Sequence, residues 1–181
     1  MRISLVEDNR ESGFTIMEVI VVIAIIGIMT AIAIPSFSTW LPNYRLRNAA
    51  RDLYSNFQKA KITAIKNNTN CTVIFEPTAG SAYDYRVFID ADKDLEYDAG
   101  EEVITDVLWS RYESVNFDTS QDNGVNFANN DDGKPAIAFR PNGLTESNSG
   151  AFGAGTVFLI NTRNKTTSVI VSPAGNIRIP N

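Results

Sequence analysis

The hydrophobic and polar residues of this chain follow three successive patterns. Val19 to Tyr44 is a run of 26 residues without a charged side chain, and its core up to Ile34 is apolar except for Thr30. From Tyr44 to about Lys66, apolar residues recur at helical spacing. After Asn70 the period changes to the alternation typical of strands, interrupted by Gly, Pro, Asn and Asp clusters. The pattern predicts an α+β fold: one long helix followed by an antiparallel β domain.

The uncharged run predicts a membrane-spanning helix. As a helix, 26 residues would extend about 39 Å, enough to cross a bilayer. Its core is apolar on all sides, whereas a helix at the surface of a soluble domain has a polar face. Pro35 and Pro42 each remove a backbone donor, so we expect the long helix to be kinked. The turn-prone residues Asn67 to Asn70 predict its end.

The second half of the helix is predicted to pack on the β domain. Its helically spaced apolar positions are Leu46, Ala50, Leu53, Phe57, Ala60 and Ala64. The alternating region that follows predicts eight strands: Cys71–Phe75, Tyr83–Ile89, Glu102–Trp109, Ser114–Asp118, Ala136–Arg140, Thr156–Ile160, Thr167–Val171 and Asn176–Ile179.

Composition excludes several classes of function. The 181 residues include no histidine, which removes imidazole bases, Ser-His-Asp arrangements and histidine-bearing zinc sites. The single cysteine, Cys71, cannot form an internal disulfide, and we expect it to be a small buried hydrophobic residue. With 16 basic and 21 acidic side chains, the net charge of -5 argues against a general nucleic-acid binder. The β domain offers carboxylates but no nucleophile–base pair, so we expect no enzymatic activity.

Charge is unevenly distributed along the chain. Tyr44 to Lys66 contains six basic residues against Asp52, and Asp84 to Asp106 contains nine acidic residues against Arg86 and Lys93. The basic stretch is either a solvated helix face or a surface for acidic partners or anionic lipid headgroups.

The segment before the apolar run carries a specific motif, Gly13-Phe14-Thr15-Ile16-Met17-Glu18. Followed by an apolar helix, it resembles the processing site of type IV pilins and type II secretion pseudopilins. The resemblance implies that residues 1–13 are a leader, cut after Gly13 by a prepilin peptidase, and that Phe14 is then N-methylated. By the same match Glu18 is the family's essential glutamate, and Gly27 and Pro35 occupy the family's glycine and proline positions.

Glu18 has a plausible role on electrostatic grounds. A lone carboxylate in a membrane helix costs about 2.5–3.5 kcal/mol, so Glu18 is a candidate functional residue by default. Cleavage would create a cationic amine on Phe14, and pairing it with Glu18 of a neighbouring subunit would remove two isolated charges from an apolar medium.

The rest of the chain resembles the GspH/FimT branch of minor pilins, through its strand pattern and the terminal sequence Val171 to Arg178. Some members of this branch are implicated in DNA uptake through a C-terminal Gly-Arg-x-Arg motif. Here the matching residues are Gly175-Asn176-Ile177-Arg178, so the first arginine is missing. Between Arg140 and the C-terminus the charge balance is positive, which could form a weak phosphate-binding patch. Ordinary surface charge explains it equally well.

A secretory signal peptide is the alternative interpretation of the N-terminus. Ala31-Ile32-Ala33 is an A-x-A site after an apolar region, and cleavage there would start the mature chain at Ile34. Glu18 within the apolar region counts against it. The orientation rests on the resemblance alone, because the arginines that follow the helix lie opposite to what the positive-inside rule prefers.

A candidate calcium loop lies between two predicted strands. Residues 90–101 read DADKDLEYDAGE, which has the ligand spacing of an EF-hand loop. The departure is Leu95, at the position where the sharp turn normally requires glycine. A solvated acidic turn is the alternative. The predicted oxygen ligands of a Ca²⁺ ion are Asp90, Asp92, Asp94, Glu96 through its backbone carbonyl, Asp98 and Glu101.

Together these features predict a minor pilin or pseudopilin, a structural subunit of a type IV pilus or type II secretion pseudopilus that acts in assembly initiation or tip interaction. The predicted parts are a leader at 1–13, an apolar helix at 14–43, its amphipathic continuation at 44–68 and a β-rich domain at 69–181. The chain would span the bacterial inner membrane once, with the β domain in the periplasm, before assembly with other pilin subunits. The alternatives are a filament-mounted DNA receptor, with Arg178 as a weak contact, and a calcium-dependent adhesin.

Overall fold

The computed structural model describes residues 13–78 and 80–180, without the side chains of residues 35 and 36. The chain forms two compact units, Met1–Trp40 and Leu41–Asn181. A single helix, α1 (Ile16–Asn67), contributes to both units, which are described separately below.

The first unit contains the apolar half of α1. Ile16–Ile34 has a mean hydropathy of 2.7, and no part of this window is buried. Among the described residues, it is the one helical segment long and apolar enough to cross a membrane. The predicted span is therefore helical and leaves its apolar side chains unpacked. α1 continues through both Pro35 and Pro42, and the expected kink at each stays a prediction.

In the second unit, α1 buries one face. Leu46, Ala50, Leu53, Phe57, Ala60 and Ala64 are all at most 4% exposed, which confirms the packing face predicted from the spacing. Small residues on this face let the helix approach the sheets closely. The helix ends as expected in its asparagine-rich segment: Asn68 follows with φ +52°, a left-handed conformation that asparagine tolerates and that stops helices.

Nine strands form two antiparallel sheets. The first sheet has the order β3-β2-β1-β5-β6 and the second β4-β7-β8-β9. The strands are β1 (Asn70–Phe75), β2 (Tyr85–Asp90), β3 (Val103–Val107), β4 (Val115–Phe117), β5 (Ala136–Phe139), β6 (Thr145–Glu146), β7 (Gly155–Asn161), β8 (Thr166–Val171) and β9 (Ile177–Arg178).

The predicted α+β class is confirmed. Each of the eight predicted strands corresponds to an observed one, and the sequence pattern missed β6. Two residues are too few to produce a visible alternation. The predicted third strand extended to Trp109, but that residue begins a 3₁₀ turn, Trp109–Tyr112, which places its indole in the core.

Aromatic side chains fill the core between α1 and the sheets. Phe57 lies at its centre, with ring centroids 6.1–6.2 Å from those of Phe75, Phe127 and Phe139. A second cluster on the other face of the first sheet contains Ile74, Phe88 and Leu95. Because both of its faces are covered, β1 is buried along its whole length. Leu95 belongs to the acidic segment, which therefore folds over the outer face of this sheet.

Candidate functional site

The predicted processing segment, Gly13 to Glu18, runs into the first turn of α1. Gly13 and Phe14 are exposed and precede the helix. The Thr15 Oγ1 accepts a hydrogen bond from the Glu18 backbone N–H at 3.2 Å, and the Glu18 Oε2 accepts one from the Thr15 N–H at 3.4 Å. This reciprocal arrangement is a capping box, which satisfies backbone donors that the first turn of a helix leaves open.

The capping box gives Glu18 a local role besides the predicted contact with a neighbouring subunit. A carboxylate at this place is stabilised by the positive end of the helix dipole. It also lies close in sequence to Phe14, whose amine cleavage would expose. The box is visible in the sequence as Thr-x-x-Glu before an apolar run, although Thr15 was not among the predicted site residues.

Asp90 anchors the acidic loop. At the end of β2 its carboxylate is fully buried and accepts hydrogen bonds from the Thr72 hydroxyl at 2.7 Å and from the backbone N–H groups of Lys93 and Leu95 at 2.7 and 3.2 Å. Burial raises the pKa of Asp90 above its ordinary value, and the three hydrogen bonds act in the opposite direction. The residue predicted as the first calcium ligand thus also fixes the backbone of the loop.

Three of the predicted ligands converge. Asp90, Asp92 and Asp94 each place one carboxylate oxygen within 4.8 Å of the others. Asp92 and Asp94 are exposed, and the second of these also accepts a bond from the Glu96 N–H at 2.8 Å.

The other three predicted ligands are placed differently. The Glu101 carboxylate accepts bonds from the N–H groups of Ala91 and Asp98, both at 3.0 Å, and so joins the two ends of the loop. The Glu96 side chain accepts a bond from the Asp132 N–H at 2.9 Å. Asp98 is exposed. Because Glu101 links the loop ends, a bidentate contact to a cation would replace bonds that it makes with the backbone.

Leu95 adopts the backbone conformation for which glycine is usually required. Its φ of +64° lies in the left-handed region, which costs a non-glycine residue about 1–2 kcal/mol. Its side chain is 2% exposed in the second hydrophobic cluster, and burying a leucine contributes about 1.5–3 kcal/mol. The Asn130 amide donates to the Leu95 carbonyl at 3.0 Å and fixes the turn further. Burial of the Leu95 side chain therefore offsets the cost of its left-handed backbone conformation.

Part of the negative charge around the loop is neutralised within the domain. Arg86 donates two hydrogen bonds to the Asp106 carboxylate, at 2.7 and 2.8 Å. Its guanidinium also lies 4.3 and 4.2 Å from the ring centroids of Tyr83 and Tyr97. These cation–π contacts hold the arginine beside the loop.

At the C-terminal end, Gly175 is required by packing. Its φ is +69°, and an added Cβ would lie 2.1 Å from the Gly143 carbonyl oxygen. The Lys61 ammonium donates to the Gly175 carbonyl at 2.9 Å, which ties this turn to α1. Arg178 is exposed on β9, next to Ile170 of β8. Packing thus accounts for the glycine of the predicted DNA motif.

Arg140 does not add to a free basic patch. It donates to the Glu146 carboxylate at 2.6 and 2.8 Å and to the Gly150 carbonyl at 2.8 Å. Glu146 keeps a lowered pKa because of this contact. DNA binding through Arg178 stays a prediction. Because Arg140 is paired with Glu146, the C-terminal region has one unpaired cation fewer than the sequence count suggested.

Comparison with known families assigns the chain. Residues 8–34 match the prokaryotic N-terminal methylation motif. Residues 49–175 match the model of the type II transport protein GspH. Since that match covers more than two-thirds of the sequence, the chain belongs to the GspH family.

Curated relatives include a pilin-like protein, a fimbrial protein and a major pilin. The chain is 34% identical over 92 residues to the pilin-like protein PilA1 of Thermus thermophilus, covering 50% of this chain and 55% of the relative. It is 32% identical over 76 residues to a fimbrial protein of Moraxella nonliquefaciens, covering 42% and 48%. It is 33% identical over 86 residues to the type IV major pilin protein PilA of Myxococcus xanthus, covering 43% and 37%. The chain thus spans about half the length of these relatives or less, and no solved structure matches it.

Proposed function

We propose that this chain is a minor subunit of a type IV pilus or a type II secretion pseudopilus. The observation that carries the proposal is the order of its parts: a methylation motif at residues 8–34 followed by a GspH domain at residues 49–175. In this proposal a prepilin peptidase cuts after Gly13 and Phe14 is methylated. Before assembly, the apolar half of α1 holds the subunit in the inner membrane, with the β domain in the periplasm.

In the proposed filament, Glu18 makes an intersubunit contact with the amine of Phe14. The capping box supports this role, because it positions the Glu18 carboxylate at the helix start. In an apolar filament core, a subunit in the wrong axial position would leave both charges unpaired. Breaking a buried ion pair by removing one partner costs about 3–5 kcal/mol, which is enough to enforce register.

Three variants distinguish the intersubunit contact of Glu18 from its role in the capping box. Glu18→Gln keeps an oxygen that can accept from the Thr15 N–H but removes the charge; Glu18→Ala removes both; Thr15→Ala removes only the cap acceptor. If the charge pairs with Phe14, both Glu18 variants are processed, as intact mass will show, but are missing from sheared filaments. Thr15→Ala should lose only about 1 kcal/mol of helix stability and still assemble. Normal assembly of Glu18→Gln together with failure of Thr15→Ala would assign Glu18 to capping and contradict the intersubunit contact.

Calcium binding by the acidic loop is a second candidate function. It is supported by the convergence of Asp90, Asp92 and Asp94 and by the left-handed conformation of Leu95. Oxygen ligands at alternating loop positions suit Ca²⁺. The ion would offset the charge of the buried Asp90 and hold the loop against the sheet.

Calorimetric titration of the full chain with CaCl₂ tests this second function. The double variant Asp92→Asn/Asp94→Asn changes two exposed ligands and leaves the buried anchor intact. A matched control, Glu102→Gln/Glu113→Gln, removes the same charge from exposed positions outside the cluster. We expect binding in the wild type and the control and none in the double variant. Absence of heat from the wild type at millimolar Ca²⁺ would rule out the site.

A further inference from the structure

A basic cleft lies between α1 and the second sheet within the Leu41–Asn181 unit. Its volume is about 700 Å³. Its cationic side chains are Arg47 and Arg51, one helical turn apart on α1, and Lys165 at the turn between β7 and β8. No acidic side chain is among its described lining residues. These three cations have no carboxylate partner within 4.0 Å in the described part of the chain, unlike Arg45, which pairs with Glu113 at 2.5 Å.

The remaining walls of the cleft are mixed. The hydroxyl-bearing residues Thr166, Thr167 and Ser168 line one side, and Leu46 and Ile179 provide apolar surface. Hydroxyl and cationic donors beside apolar atoms suit a ligand that carries a phosphate on an organic group. A simple inorganic anion would contact only the donor groups and not the apolar surface.

The position of the cleft in the sequence indicates the source of such a ligand. The uncharged run ends at Tyr44, and the first cation after it is already paired. The next two, Arg47 and Arg51, belong to the cleft. They follow the end of the uncharged run within two helical turns, and cations near an anionic membrane surface interact with lipid phosphates, each contributing about 1 kcal/mol, roughly a fivefold change in affinity.

We propose that this cleft binds the phosphate-bearing headgroup of an anionic membrane lipid, and that Arg47, Arg51 and Lys165 are the binding residues. The proposal rests on the membrane residence included in the proposed function. Lys165 distinguishes the cleft from a basic juxtamembrane helix, because this lysine lies far from α1 in sequence and a helix alone would attract lipid without it. A bound headgroup would hold the β domain at the membrane surface until the subunit enters a filament.

Native mass spectrometry of the full chain in detergent micelles tests the proposal, with phosphatidylglycerol and phosphatidylcholine supplied as competing lipids. We expect the wild type to retain phosphatidylglycerol preferentially. The variant Arg47→Gln/Arg51→Gln/Lys165→Gln should lose this preference by on the order of tenfold or more. A control variant, Lys59→Gln/Lys66→Gln/Arg111→Gln, removes the same charge from exposed positions outside the cleft and should keep it.

Further measurements separate the possible failures. Equal loss in both triple variants would mean that net charge, not the cleft, attracts lipid, and would overturn the proposal. Binding of inorganic phosphate or duplex DNA as tight as that of phosphatidylglycerol would also overturn it. Carbonate extraction of bacterial membranes and circular dichroism report insertion and folding independently. A chain that inserts and folds but shows no lipid preference contradicts the cleft proposal and leaves the proposed function intact.

Discussion

Two features of the environment of Asp90, its hydrogen bonds and its burial, shift its pKa in opposite directions. Its hydrogen bonds to Thr72, Lys93 and Leu95 favour the charged carboxylate, whereas complete burial disfavours it. Burial is the larger effect, so the pKa of Asp90 is raised in the folded chain. An acid whose pKa is higher when folded binds protons more readily in the folded state. Its contribution to stability is therefore fully present below the unfolded pKa, about 4, and decreases as the pH rises through the folded pKa.

The substitution Asp90→Asn should expose this dependence. The free energy of unfolding of the wild type minus that of the variant is expected to be larger at pH 4 than at pH 7, because only the wild type gains from protonation of residue 90. Denaturant unfolding in calcium-free buffer measures the difference, and subtraction cancels the other acidic groups. A difference that is constant, or larger at pH 7, would contradict the pKa shift.

At the level of elements, the buried face of α1 holds the β domain together. Phe57 contacts aromatic rings from β1, β5 and the segment that contains Phe127. It therefore links parts of the chain that are distant in sequence. Ile62, five residues further along the same helix, is 61% exposed. The two side chains are a matched pair of large hydrophobic residues with opposite environments.

Phe57→Ala should destabilise the folded chain by about 3–5 kcal/mol, because it removes a buried ring and leaves a cavity. Ile62→Ala should change the free energy of unfolding by no more than about 0.5 kcal/mol. Denaturant unfolding in detergent, followed by near-UV circular dichroism, reports both. Similar losses in the two variants would show that the helix packs through a different face.

The helix and most strands could be predicted because their signals are local. Helical spacing identified the buried face from Leu46 to Ala64, and alternation located eight strands. The two-residue β6 carries too little pattern to detect. Long-range contacts were also inaccessible: the spacing of Asp90 and its neighbours suggested a loop, but nothing local shows that Leu95 packs on the sheet. The cleft joins Arg47 to Lys165, more than 100 residues apart, and only the fold brings them together.

At the level of the whole molecule, the two units contain different features. Met1–Trp40 contains the match to the N-terminal methylation motif and an apolar helix, and Leu41–Asn181 contains the folded domain with its acidic loop and basic cleft. If the subunits assemble as proposed, the opposite charges of these two surfaces would favour contacts between unlike faces of neighbouring subunits, and such contacts build filaments when they do not close into a ring. Membership of the GspH family agrees with such a role.

Maturation of this chain as a prepilin is tested by the intact mass of the protein purified from bacterial membranes. We expect a mature chain that starts at Phe14 and carries one added methyl group, with Glu18 retained in the helix. A chain that starts at Ile34, as signal peptidase cleavage after Ala33 would produce, would lack Glu18 and most of the apolar helix. That result would rule out maturation as a prepilin.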